Sequence, residues 1–158
     1  MVGIICGIVL SFLSVSLFMR WEPIEMMFIL DKIGAIRRIV LLLDYNFESK
    51  ILEILLGQAP LNLENLFNAA FLAWMFTGFM SGAIAKGRKR GFIGGSISFI
   101  VVLLIWILLS IISGVDLASK FVGIQFIGTV GGIMGGLSAS MIGGVLGGAM
   151  TGPYKSTY

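Results

Sequence analysis

Between Lys120 and Lys155 no residue carries a charge, and within that stretch Gly128, Gly132, Gly136, Ser140, Gly144, Gly148 and Gly152 recur every four residues. A second row, Gly131, Gly135, Ala139, Gly143, Gly147 and Thr151, runs beside the first. Each interior Gly disfavours a helix by ~1 kcal/mol relative to Ala, and Phe121 to Met150 contains ten of them. Such a helix needs close packing to exist. Small residues at i and i+4 let two backbones approach, and van der Waals contact then drives the association that lipid cannot drive by the hydrophobic effect. The rows predict a membrane helix packed at short range through Gly128, Gly132, Gly136, Gly144 and Gly148. At ~100° per residue a four-residue step drifts by ~40°, so each row winds around the helix and must meet more than one neighbour.

The rest of the chain agrees with that solvent. Of its 158 residues 58% are hydrophobic and 12% charged, with a mean hydropathy of +1.04; a soluble domain would have to expose apolar patches that soluble monomers avoid. Apolar runs cover 2–19, 63–85, 91–113 and 121–150, with Glu64 at the start of the second as their only charge. At ~1.5 Å per residue each is of the order of the ~30 Å hydrocarbon core. The first lacks the basic n-region and small-residue cleavage site of a secretory signal, so a retained helix is expected. The second carries Gly78 and Gly82 at the same four-residue spacing, and Gly78 to Ala85 echoes Gly144 to Thr151 in the placement of its small residues.

Residues 20–62 differ. Together with Glu64 they hold most of the acids, among them Glu22, Glu25, Asp31, Asp44, Glu48 and Glu53. Ile33, Ile36, Val40, Leu43 and Phe47 follow alternating three- and four-residue steps, one stripe along a helix. A short helix from Phe47 to Leu56 is expected next, with Asn46 as its N-cap, Gly57 as its stop and Pro60 preventing its extension. These segments read as an extramembrane amphipathic hairpin that lies on the bilayer or caps the bundle. Arg37 and Arg38 are its candidate contacts to anionic lipid headgroups. Asn62 is the expected cap of the second crossing.

The expected fold is therefore an all-α integral membrane protein of about four transmembrane helices, arranged as two helical hairpins, with the amphipathic hairpin between helices 1 and 2. The chain is one membrane domain with a tail at 151–158. Four of the eleven basic residues fall in the loop 86–90 (Lys86, Arg88, Lys89 and Arg90). Short basic loops stay cytoplasmic, which places both termini on the cytoplasmic side of the cell membrane, and Lys155 agrees. Arg20, Lys32, Arg37, Arg38 and Lys50 on the opposite side weaken the asymmetry.

The chemistry the chain lacks is equally informative. It contains no His and one Cys, Cys6, so histidine-ligated zinc or haem and Ser-His or Cys-His nucleophiles are excluded. Cys6 sits in an apolar run and reads as a small hydrophobe. Apart from Glu64 at the start of the second run, no carboxylate lies inside an expected span, which argues against proton-coupled transport. The net charge of +3 is concentrated in the basic loop and is not interleaved with aromatics, so no nucleic-acid partner is expected. Asn68, Gln125 and Thr129 are the candidate polar lining of any pore or site, while Trp74 and Trp106 fall near mid-span and are expected in helix contacts. These features point to a non-enzymatic structural or accessory subunit without cofactors. Its fourth helix would pack into a homo- or hetero-oligomeric complex. The alternative is a small oligomeric channel or carrier for ions or small solutes.

Overall fold

The structure, a computed structural model, describes residues 1–22, 24–25, 34–47 and 49–152, leaving aside the Ile124 side chain. Of the residues given roles above, Asp31, Lys32, Ile33, Glu48 and the tail from Pro153 lie outside the described residues. The described residues are all-α, without strands: α1 (Val2–Phe18), α2 (Ala35–Asp44), a 3₁₀ turn (Tyr45–Phe47), α3 (Ile51–Leu55), α4 (Leu63–Leu66), α5 (Ala69–Ala85), α6 (Arg88–Ile112), α7 (Leu117–Lys120) and α8 (Ile124–Met150). Two of them, α6 and α8, are long and apolar enough to cross a membrane; α1 and α5 are apolar helices of 17 residues.

Three boundaries differ from the pattern read above, each for a local reason. Leu63 to Ala85 is not one helix. The Asn62 side chain accepts from the Asn65 N–H at 2.8 Å, and the Asn68 side chain accepts from the Phe71 N–H at 2.9 Å. Two asparagines six positions apart thus each cap a helix, and the chain breaks at Phe67 between them. Arg88, Lys89 and Arg90 are not loop but the first turn of α6, which starts directly after Gly87 at φ +106°. The fourth helix is continuous and begins at Ile124 rather than Phe121, because Asp116 caps α7 and the chain reverses at Gly123.

A wedge of backbone contacts organises the bundle. α8 lies against both α5 and α6, and α1 covers the α5–α6 pair. A Cβ at Gly78 or Gly95 would overlap the Ser140 carbonyl, and a Cβ at Gly82 or Gly91 would overlap the Gly144 carbonyl. Two successive turns of α8 are therefore each gripped by one glycine of α5 and one of α6. The Ser140 hydroxyl donates to the Gly95 carbonyl at 2.8 Å, adding a polar tie at the same level. The parallel row meets α5, with Gly143 on the Met75 carbonyl and Gly147 on the Phe79 carbonyl. On α1 the same device recurs, since a Cβ at Gly3 would come within 2.6 Å of the Ser81 carbonyl.

Toward its N-terminal half α8 changes partners, as a winding row must. Gly136 faces the rings of Phe99 and Trp74, Gly132 faces the Phe47 carbonyl, and Gly131 and Gly135 face Ser49, Ile51 and Leu52. Phe47, Trp74, Phe99 and Trp106 form one aromatic cluster, with Phe47 and Trp106 rings 4.8 Å apart and Trp74 and Phe99 rings 4.7 Å apart. Trp74 and Trp106, expected in helix contacts, are both buried core.

Of the two placements expected for the segment after α2, on the bilayer or capping the bundle, its turn takes up contacts at the end of the bundle. Asn46 is not a helix cap: it is buried in the 3₁₀ turn, donates through Nδ2 to the Ser11 carbonyl at 3.1 Å, and accepts from Trp74 Nε1 at its own carbonyl at 2.8 Å. Val40, Leu43 and Phe47 of the apolar stripe are core residues, whereas Ile36 is exposed. The turn is threaded into the end of the bundle because a buried polar backbone needs partners, and α1 and α5 supply them. The short helix that follows starts at Ile51, and Gly57 at φ +70° ends it by bringing the Gln58 N–H back to the Glu53 carbonyl at 2.8 Å.

Candidate functional site

Where the buried turn, the start of α5 and the start of α8 meet, the packing leaves a cleft of about 510 Å³. Met19, Phe47, Ala69, Ala70 and Trp106 give it an apolar wall. Its polar lining includes Asp44, Lys50, Glu53, Asn68, Lys120, Gln125 and Thr129. The three residues singled out as candidate lining, Asn68, Gln125 and Thr129, converge here although they come from two helices. Asn68 arrives because it caps α5; Gln125 and Thr129 are one turn apart on α8.

The cleft also contains charges that sequence reasoning did not bring together. Lys120, at the end of α7, forms an ion pair with Asp44 at the end of α2. Their side chains are 26% and 16% exposed, so water screens the pair only partly. Lys50 and Glu53 add one charge of each sign. Trp106 is 1% exposed on this wall, and its indole N–H has no hydrogen-bond partner. The arrangement can hold a small polar molecule against an aromatic floor. Asp44 and Lys120 lie 76 positions apart, so no local pattern announces them.

The packing residues divide. Gly78, Gly82, Gly132, Gly136, Gly144 and Gly148 all lie against other backbone or ring atoms, Gly148 meeting the Gly87 carbonyl. Gly128 does not: among the described residues no atom of another element lies within 4 Å of where its Cβ would be, and it lines the cleft. It faces the open cleft instead of another backbone. Between Gly131 and Gly148 both rows are buried within the chain, leaving Met134, Ser138, Ile142, Leu146 and Met150 as the outward face of α8. In this stretch neither row is left for a partner outside the chain. Arg37 is exposed and Arg38 half-buried on α2, away from the cleft.

No protein-family model matches the chain, and no curated protein or solved structure matches it either.

Proposed function

We propose that this protein is a non-enzymatic integral membrane protein that crosses the bilayer four times, through α1, α5, α6 and α8, and serves as a structural or accessory subunit of a membrane complex. Both termini are cytoplasmic in this reading. The observation that carries it is the inversion of the bundle's surface. Ile5, Val9 and Leu13 on α1, Ile97, Leu104 and Leu108 on α6, and Ile142 and Leu146 on α8 are exposed. Meanwhile Ser11, Ser14, Thr77, Ser98 and Ser140 are buried, where several bond between helices. An apolar surface of that extent is stable only against lipid or another apolar partner. α1 and α5 span ~25 Å at ~1.5 Å per residue, a mismatch that a locally thinned bilayer absorbs at modest cost.

Because the glycine rows are occupied internally, a partner helix would dock on the outward face of α8. Purification in mild detergent tests this: a fixed set of larger partners, or a defined oligomer, should accompany the chain. Ile142→Trp should release them without lowering its thermal stability. A lone monomer from native membrane would count against the subunit reading.

The cleft favours a second reading, a channel or carrier for small solutes, since Asn68, Gln125 and Thr129 offer neutral hydrogen-bonding groups beside an ion pair. Reconstituted vesicles decide it. Solute or ion flux that changes on Gln125→Leu supports transport, and vesicles as tight as protein-free controls remove that reading.

A further inference from the structure

At the end of the bundle opposite the cleft, α5 turns into α6 within two residues. Lys86 at φ +50° and Gly87 at φ +106° make the turn, and the Gly87 N–H donates to the Gly148 carbonyl at 2.9 Å, pinning the corner to the end of α8. The turn crowds Lys86, Arg88, Lys89 and Arg90 into one corner. Arg88 to Arg90 are exposed and form the first turn of a 25-residue helix whose N-terminus has no side-chain cap. No Asp or Glu occurs between Glu64 and Asp116 or after Asp116.

Two cavities flank this corner, and Arg90 lines both. One, of about 580 Å³, is walled by the four cations together with Gly148, Ala149 and Gly152. The other, of about 410 Å³, is mainly apolar and lies between α1, α5 and α6, with Ile4, Ile84, Ile93 and Gly94 on its walls. Ser81 also lines it: it is 0% exposed, its hydroxyl oxygen has no hydrogen-bond partner, and that oxygen faces Gly94, where an added Cβ would meet it at 3.0 Å. Topology alone accounts for a basic loop, and the C-terminal ends of α5 and α8 favour cations nearby. Neither accounts for a basic cavity joined through one arginine to an apolar one that holds an orphan hydroxyl.

We propose that this corner binds a phosphate-bearing anion, specifically an anionic phospholipid. Its phosphate lies among Arg88, Lys89, Arg90 and the free amides of the first turn of α6. Its glycerol and upper acyl chain pass Arg90 into the apolar cavity. Basic pockets between membrane helices on the cytoplasmic side recognise such headgroups. The inference rests on the membrane reading of α1, α5 and α6, but its test in detergent does not depend on which way the chain faces.

Native mass spectrometry of the detergent-solubilised protein, titrated with phosphatidylglycerol, phosphatidylcholine or inorganic pyrophosphate, provides that test. Phosphatidylglycerol should be retained at least tenfold more tightly than phosphatidylcholine, and millimolar pyrophosphate should not displace it. The double variant Arg88→Gln/Arg90→Gln should lose at least tenfold in retention, and Ile93→Trp, which narrows the apolar cavity from its open side, should lose severalfold. Arg37→Gln/Arg38→Gln, at the other end, should retain lipid as the wild type does. Equal retention of the two lipids, or an equal loss in the Arg37/Arg38 variant, would overturn the site in favour of unspecific attraction. Displacement by pyrophosphate would reassign it to a soluble phosphate compound. Labelling of a cysteine at position 89 from one side of intact cells reports the topology separately, so the two readings fail independently.

Discussion

A methyl group is the unit in which this bundle is measured. At Gly144 the space for a Cβ is already taken by the carbonyl of Gly91, so Gly144→Ala must push α6 away from α8. Overpacking of that kind costs about 1–3 kcal/mol, offset in part by the ~1 kcal/mol that Ala gains over Gly in a helix. At Gly128 nothing stands within 4 Å. The same substitution there should be neutral or stabilising by up to about 1 kcal/mol. Denaturant titrations of the two variants in micelles should therefore move in opposite directions, and a shared sign would mean the rows do not set helix separation. Asn46 makes a second case: Asn46→Ala removes its Nδ2 bond to the Ser11 carbonyl and leaves that buried turn tied only through its backbone. A loss of about 1–3 kcal/mol is expected, measurable in the same titration, with Asn65→Ala on the exposed α4 as the reference.

Elements made of one uninterrupted apolar run were legible from sequence, because their length and lack of charge need no partner to be recognised. α1 and α6 fall close to the runs that announce them, and the spacing of Gly78, Gly82 and Gly144 marks residues that do lie at backbone contacts. What sequence could not show depends on tertiary partners. The Asn46 turn reads as a cap until α1 and α5 are placed around it, and the break at Phe67 is visible only once Asn68 is known to prefer its own helix to that of Asn62. Likewise residue type selected Asn68, Gln125 and Thr129 for the cleft, while Asp44 and Lys120 meet only through the fold. At this scale α8 is the sensitive element. Gly136→Leu would drive a side chain into Phe99 and Trp74, and Gly144→Leu into α6, whereas Leu103→Ala trims a half-buried residue on α6. Yields of folded protein by size-exclusion chromatography should collapse for the first two and stay near wild type for the third. Equal tolerance would remove the packing argument for this helix.

For the molecule as a whole, the polarity of its two ends is the property that fixes how it can sit in a membrane. One end gathers Lys86, Arg88, Lys89 and Arg90; the other carries the Asp44–Lys120 pair, Glu53 and Glu64, and the turns around Gln58 and Ser119. Moving the compact basic cluster across a bilayer is the least favourable option, and acids contribute little to orientation. That end is therefore expected in the cytoplasm, with the cleft opening on the opposite side. In a Cys6→Ser background, single cysteines at Gln58 and Ser119 should react with a membrane-impermeant maleimide added to intact cells, and one at Lys89 should react only after permeabilisation. Labelling of positions 58 and 89 from the same side would mean that α5 does not cross. Labelling of 89 alone from outside would invert the molecule and turn its cleft toward the cytoplasm, where a solute would have to reach Gln125 from within the cell.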